Sequence, residues 1–414
     1  MESIKEERKL LRYTYLLCIV LFVNMFFIGK NGLDKGALIM GVIICILFAY
    51  SHFIIRRFFP DGDKYILLFS NVLAVIGMGI LYRLDSPTAL KQLIWYTVGI
   101  AIFILVVVIF PSLTSFGKYK WFYLIATIIL MALGSLFGDE VYGAKNWISI
   151  GGFSFQPTEF GKLSLVAYLA ASLQHYGNDT KQKSDFIKLK ALIEPGIVVM
   201  ISLGLMVLQK DLGSALLFFA ISVTMLYIAT SKFKYVLVCL VLFMVGGFIS
   251  YKLFGHVRLR VLIWGDPWKY GYDQGHQVVQ SLISIASGGL FGTGMGLGYP
   301  KMVPVVTSDF IFAAICEEMG LLTGLAMLIL YFLLFYRCMR VPVYSKDNFS
   351  RLLAVGYSTM IAAQVLVIVG GVVGAIPLTG ITLPLVSYGG SSMIVTFFSL
   401  GILQKISEDG QSYE

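Results

Sequence analysis

Runs of about 20 apolar residues, separated by short polar segments, recur along the whole chain. Each run is long enough to cross the hydrocarbon core of a bilayer as a helix. The pattern predicts twelve spans, near residues 12–29, 37–55, 65–82, 92–110, 119–137, 159–175, 191–208, 211–230, 234–254, 309–336, 352–374 and 382–404. The tightest junction is Gln209-Lys210-Asp211, where two helices meet with almost no loop. The longest connection is 255–308. Within it, Val278, Leu282 and Ile285 alternate with Gln277, Gln280, Ser281, Ser284 and Ser287 at helical spacing. That spacing predicts a short amphipathic helix, lying at the membrane surface, re-entering it, or packed on the protein's own outer face. A second long segment, 138–158, lies outside the same face. No internal repeat marks an inverted-repeat transporter.

Composition agrees with this pattern. Of 414 residues, 58% are hydrophobic and 13% charged, against about half and about a quarter in a soluble globular chain. The net charge of +9 does not point to nucleic acid, because the cations sit in short loops between apolar runs. With the N-terminus inside, cytoplasmic segments hold 20 of the 32 Lys and Arg, including Lys181, Lys183, Lys188, Lys190, Arg337, Arg340, Lys346 and Arg351. This positive-inside bias predicts that both termini are cytoplasmic. The charged start MESIKEERK leads into a first apolar run without a small-residue cleavage site, so that run is expected to be retained as a helix.

Several patterns point away from familiar sites. Cys18, Cys45, Cys239, Cys316 and Cys338 have no CxxC spacing, and the four histidines form no ligand motif. The DxD of Asp61 and Asp63 has no α/β domain around it and is expected to be a polar turn. The GTGMGLG segment at 292–298 follows no strand and opens no βαβ unit, so a tight backbone path or a close approach to a ligand is expected instead of a dinucleotide site. The sequons at 178–180 and 348–350 fall in predicted cytoplasmic loops.

Ionisable groups near a membrane are costly to keep and are functional candidates. Asp309 follows an uncharged stretch, 302–308, and opens the predicted tenth span; it is either a helix N-cap or a functional carboxylate. Glu317 and Glu318 lie roughly 12 Å further along that helix and point away from Asp309, which suits packing roles with a cationic or hydrogen-bonding partner. Glu159 and Lys162 are spaced to pair on one helix. Lys210 and Asp211 occupy the turn between two helices, and Arg258 and Arg260 open the long segment. On an extended backbone those two arginines share a face, as two phosphate ligands would, or they snorkel at the interface. Glu194 precedes Pro195, a candidate kink.

At these residues the sequence resembles a known family. GAKNWISIGGFSFQPTEFGK, LQKDLGSA, Asp266-Pro267-Trp268 with GHQVVQSLISIASGGLFGTGMGLG, SDFIFAAICEEMGLLTG and IPLTGITLPLVSYGGSS occur in the order of the corresponding motifs of the SEDS family (shape, elongation, division and sporulation) of RodA, FtsW and SpoVE. The resemblance implies an all-α polytopic membrane fold, with a ten-helix core over residues 61–414 that includes an extracellular loop at 255–308, and an added two-helix hairpin over 1–60. It implies a glycosyltransferase that polymerises lipid II, an undecaprenyl-diphosphate disaccharide-pentapeptide, on the outer face of the bacterial cytoplasmic membrane. A class B penicillin-binding protein and membrane lipids are the implied partners. The family's essential aspartate maps to Asp309 and its important tryptophan to Trp147. In the matching motifs, Glu159, Lys162, Lys210, Asp211, Gln280 and Ser281 are candidate substrate-binding residues, and Arg258 and Arg260, outside the motifs, are candidates for the diphosphate. Two departures stand out: Asn146 replaces the usual Arg, and Lys210 the usual Pro.

The chemistry suits that resemblance. A sugar hydroxyl is a poor nucleophile at neutral pH, and a carboxylate base accelerates its attack by about 10²–10⁴-fold. A diphosphate leaving group calls for cations or a divalent metal such as Mg or Mn. Two other functions are open to such a chain: translocation of a lipid-linked precursor, and a scaffold without chemistry.

Overall fold

The computed structural model describes residues 2–28, 33–110, 112–141, 144–150, 153–176, 185–345 and 347–411. Lys181, Lys183, Lys346 and the 178–180 sequon lie outside the described residues, as does the side chain of Lys188. The helices are α1 (Glu2–Ile28), α2 (Lys35–Phe58), α3 (Tyr65–Leu84), α4 (Ser86–Ile109), α5 (Lys120–Phe137), α6 (Pro157–Leu173), α7 (Asp185–Leu208), α8 (Leu212–Thr230), α9 (Phe233–Leu253), α10 (Gly255–Gly265), α11 (His276–Gly288), α12 (Ile311–Met319), α13 (Leu321–Tyr344), α14 (Asn348–Val372) and α15 (Gly390–Gln411). Ten of them are long and apolar enough to cross a membrane. Of the expected spans, α6 is only 17 residues long and carries a buried ion pair. The expected tenth span is broken: Gly320, at φ +86°, separates α12 from α13. The last span begins at Gly390, not near 382, because 382–389 form turns. Pro195 lies within α7.

The chain divides into two compact units: residues Met1–Ile109, Gly271–Arg337 and Thr382–Glu414, and residues Phe110–Tyr270 and Cys338–Ile381. In the first, α3 is the centre. It is apolar all round and almost wholly buried, as a helix of that composition must be. Two polar positions lie within the core: Ser70 donates to Ile66 O at 2.7 Å, and Asn71 Oδ1 accepts from the Tyr96 hydroxyl at 2.8 Å, while Asn71 Nδ2 has no hydrogen-bond partner among the described residues. Gly77 lets the 382–389 turns close on α3, since a Cβ there would lie 2.5 Å from Val386 Cα. The α1–α2 hairpin is tied to α3 through Asp34, which caps α2 and accepts from the Tyr82 hydroxyl at 2.9 Å. Asp63 accepts from Tyr65 N at 3.0 Å and from Arg337 at 3.4 Å, so the DxD segment is a polar turn.

The segment expected as one long loop contains structure. α11 forms where amphipathic spacing predicts a helix, and it packs on α12. Two of its serines, Ser281 and Ser284, are buried, and Ser284 donates to Glu317, while Ser287 is exposed. The glycines at 292–298 form a tight path against the end of α12. Thr293 N and Gly294 N donate to Glu317 O and Glu318 O at 2.9 and 3.0 Å. Gly292 has φ +85°, and a Cβ there would meet Glu318 O at 2.4 Å.

In the second unit, α14 is largely buried and packs on α6 and α8. Lys162, at 0% exposure, donates to Glu159 at 2.8 Å and to Gln364 of α14 at 2.9 Å. The expected i,i+3 pair therefore forms, and it forms inside the unit. None of the residues of α9 is buried; in water so much apolar surface would be untenable, whereas in lipid it costs nothing. A three-stranded antiparallel sheet, β1 (Asp139–Val141), β2 (Ala144–Ile150) and β3 (Phe153–Phe155), interrupts the all-helical fold. The alternation of Ile148, Ile150, Phe153 and Phe155 with Ser149 and Ser154 is the strand signal that helix-scale periodicity overlooks.

Two outcomes test these packing arguments. Lys162→Met leaves the Glu159 carboxylate buried without its cation, so thermal unfolding in detergent should show a loss of about 3–5 kcal/mol, while the double variant with Glu159→Gln should recover much of it. Gly292→Ala combines backbone strain with a clash and should cost about 1 kcal/mol or more in the same measurement.

Candidate active site

Asp309 belongs to the first unit. It does not cap a helix: α12 starts at Ile311, its N-cap residue is Phe310, and no side chain bonds there. The N-cap alternative is thereby corrected. Asp309 instead ends a non-helical stretch and is half-buried, beside a helix whose first eight residues are all buried. The backbone before it is pinned. Thr307 O accepts from Tyr388 N at 2.9 Å, and Ser308 O accepts from the Ser387 hydroxyl. Gln92 of α4 holds the same turn from the other side, donating to Ser387 O at 3.0 Å and accepting from Gly389 N at 3.2 Å. The motif IPLTGITLPLVSYGGSS thus supplies, through its 383–389 part, the support on which the aspartate backbone rests.

Glu317 and Glu318 have structural partners. Glu318 pairs with Arg83 of α3 at 3.0 Å, with its side chain 1% exposed. Glu317 accepts from Tyr299 N at 2.6 Å and from Ser284. Arg83 escaped the sequence analysis, because a cation at the end of an apolar run is ordinarily a topology marker. Ser281 is buried in α11, and Gln280 beside it is half-buried.

The other candidates belong to the second unit. Asp211 caps α8 and is fully engaged: Oδ1 accepts from Ser214 N at 3.0 Å, and Oδ2 accepts from Ser214 Oγ, Asn146 Nδ2 and Gln156 Nε2 at 2.8, 2.7 and 3.2 Å. Its role in the fold is to join β2 and the start of α6 to the start of α8. Trp147, next to Asn146, is half-buried and lies opposite Asp139 in the sheet. Glu159 and Lys162 are sealed in the helical core. Lys210 has φ +62°, a left-handed conformation that proline cannot adopt, so this turn is built differently from one with Pro at that place.

The arginine pair is corrected. Residues 255–265 are helical, not extended, so Arg258 and Arg260 point about 200° apart instead of sharing a face. Arg258 is exposed. Arg260 turns inward and donates from Nη1 to Leu378 O at 3.0 Å and Thr379 O at 3.1 Å.

Arg260 also lines a cavity of about 1030 Å³, walled by α7, α8, α9, α10 and residues 376–379. The lining is almost wholly apolar, with Leu, Val, Phe and Met side chains and only one charged residue, Arg260. A hollow of this size and chemistry, open between apolar helices, suits a lipid chain.

Comparison with known proteins places this architecture. The FTSW_RODA_SPOVE model, described as cell cycle protein, matches residues 64–412. The peptidoglycan glycosyltransferase RodA of Mycobacterium tuberculosis (strain H37Rv) is 36% identical over 417 residues, covering 95% of this chain and 89% of that protein. The stage V sporulation protein E of Bacillus subtilis (strain 168) is 32% identical over 337 residues, covering 79% and 89%. Among solved structures, a chain of a peptidoglycan synthase complex that coordinates polymerization and crosslinking is similar with a TM-score of 0.71 and 27% identity, covering 84% of this chain and 98% of that one. The Thermus thermophilus rod shape determining protein RodA is similar with a TM-score of 0.62 and 26% identity, covering 84% and 97%. With a polytopic helical fold, ten helices fit to cross a membrane among the described residues, and a family match over most of its length, this multi-pass membrane protein belongs to the FtsW, RodA and SpoVE family.

Proposed function

We propose that this protein is a peptidoglycan glycosyltransferase that polymerises lipid II on the outer face of the bacterial cytoplasmic membrane, with both termini in the cytoplasm. The observation that carries the reading is the setting of Asp309. Asp309 is half-buried at the end of a backbone stretch held from two sides, so it is placed without being fully enclosed. Such a group has the geometry of a preorganised general base. Asp309 takes the proton of the acceptor sugar hydroxyl as that oxygen attacks the anomeric carbon of the donor, and the diphosphate-linked lipid departs. The second unit separately offers Lys210, Arg260 and the apolar cavity, whose chemistry suits a diphosphate and its prenyl chain. Trp147 lines the sugar or lipid path. Among the described residues no group of three or more His, Cys, Asp or Glu is arranged to hold a metal. A Mg or Mn ion bound mainly by the diphosphate needs only one or two protein carboxylates, and no step here depends on one.

The α1–α2 hairpin precedes the matched residues and is an added module on the catalytic core. The relative within a peptidoglycan synthase complex supports a crosslinking partner, a class B penicillin-binding protein, for this chain too.

In a reconstituted assay with lipid II and a matched partner, Asp309→Ala should reduce polymer formation by at least about 10²-fold, with membrane insertion and thermal stability unchanged. Transport of labelled lipid II without polymer would instead identify a translocator, and full activity of the variant would reduce the chain to a scaffold.

A further inference from the structure

At the Arg260 end of the cavity, four polar groups gather: His256, Lys210, Arg260 and Thr379. Val207 O accepts both the Lys210 N–H, at 3.1 Å, and the His256 imidazole. One carbonyl therefore ties the histidine to the turn that carries Lys210. His256 and Arg260 stand four residues apart on α10 and share a face. Thr379, whose carbonyl receives Arg260, is 7% exposed. Its Oγ1 and His256 Nε2 are buried atoms without a hydrogen-bond partner among the described residues. Buried polar atoms are seldom left so. Val207, Arg260 and Thr379 all line the cavity.

The charges around the imidazole are of one sign. Arg260 acts from its own helix and Lys210 from the α7–α8 turn. α9, which packs on α10, carries Lys252 near this end and no carboxylate, and residues 374–379 carry no charge. Asp211, beside Lys210, is occupied by Asn146, Gln156 and Ser214, and Asp266, at the far end of α10, accepts from Lys269 N at 3.2 Å. A cluster of donors and cations at the polar end of an apolar hollow matches a phosphate-linked lipid and no neutral ligand.

Resting on the proposed reaction, we infer that His256 is a further binding residue for the substrate diphosphate, which it holds together with Lys210, Arg260 and the Thr379 hydroxyl while the prenyl chain lies in the cavity. Burial, with the charges of Arg260 and Lys210 adding to it, holds the imidazole below the ordinary histidine range, so it is neutral at pH 7 until an anion arrives. The anion favours the imidazolium, so binding takes up a proton and is tighter at acid pH. The diphosphate diester of lipid II keeps its charge across this range, so the pH dependence belongs to the protein.

The test is lipid II binding to the full chain in phosphatidylcholine nanodiscs, in an Asp309→Asn background that prevents turnover, at about pH 5.5 and about pH 8, on either side of the histidine range. The chain with His256 should bind about fivefold more tightly at acid pH, equivalent to ~1 kcal/mol for one partly screened charge. His256→Gln, which keeps a donor for Val207, should bind equally at both pH values. Thr379→Val should weaken binding at both. Phosphatidylglycerol in excess should not displace lipid II. Unchanged pH dependence in His256→Gln overturns the inference, as does displacement by phosphatidylglycerol, which would mark a general site for anionic headgroups. Failure of the catalytic reading shows separately, as absence of polymer from the unmodified chain with its partner, because binding here is read without turnover.

Discussion

In hydrocarbon, every backbone N–H and C=O must find a partner within the protein. Helices meet that demand by themselves; the non-helical stretches around Asp309 cannot. The first unit meets it with side chains and helix ends. Glu317 receives Tyr299 N, the last carbonyls of α12 receive Thr293 N and Gly294 N, and Ser387 and Tyr388 cover the carbonyls of 307 and 308. Arg83 in turn neutralises Glu318. The buried glutamates are what allow irregular backbone to exist beside Asp309. A helix through 309–336 would have satisfied the backbone more simply, but its first turn would have fixed Asp309 in a capping role.

The second unit solves a different problem with similar means. Asp211 gathers a strand, a helix start and a second helix start at one carboxylate. Lys162 and Glu159 join α6 to α14 through Gln364. These groups are substrate-binding candidates that also have partners inside the fold. Arg260, by contrast, reaches the cavity.

What could be read from sequence follows physical range. Helix placement depends on hydrophobicity over about 20 residues, a signal carried locally, and most spans appear within a few residues of their expected ends, although among the described residues ten helices, against twelve expected, are long and apolar enough to cross a membrane. The i,i+3 pairing of Glu159 and Lys162 is likewise local. The break at Gly320 is not, because it requires Gly292 and Leu290 to approach from elsewhere in the chain. The partners Arg83 and Glu318 are separated by more than two hundred positions, so only the fold brings them together. His256 gave no motif at all; its significance lies in a carbonyl of α7 and a hydroxyl near 379. The small sheet was legible in the alternation of 148–155 but was masked by reading the region at helix scale.

The left-handed Lys210 has a consequence for anyone who would exchange parts between this protein and its relatives. Restoring the common proline by a single replacement would demand a torsion its ring forbids. The strand carrying Asn146 leans on the very next residue, Asp211. A chimera would therefore have to transplant residues 206–211 and the 144–147 strand together, as one inherited block.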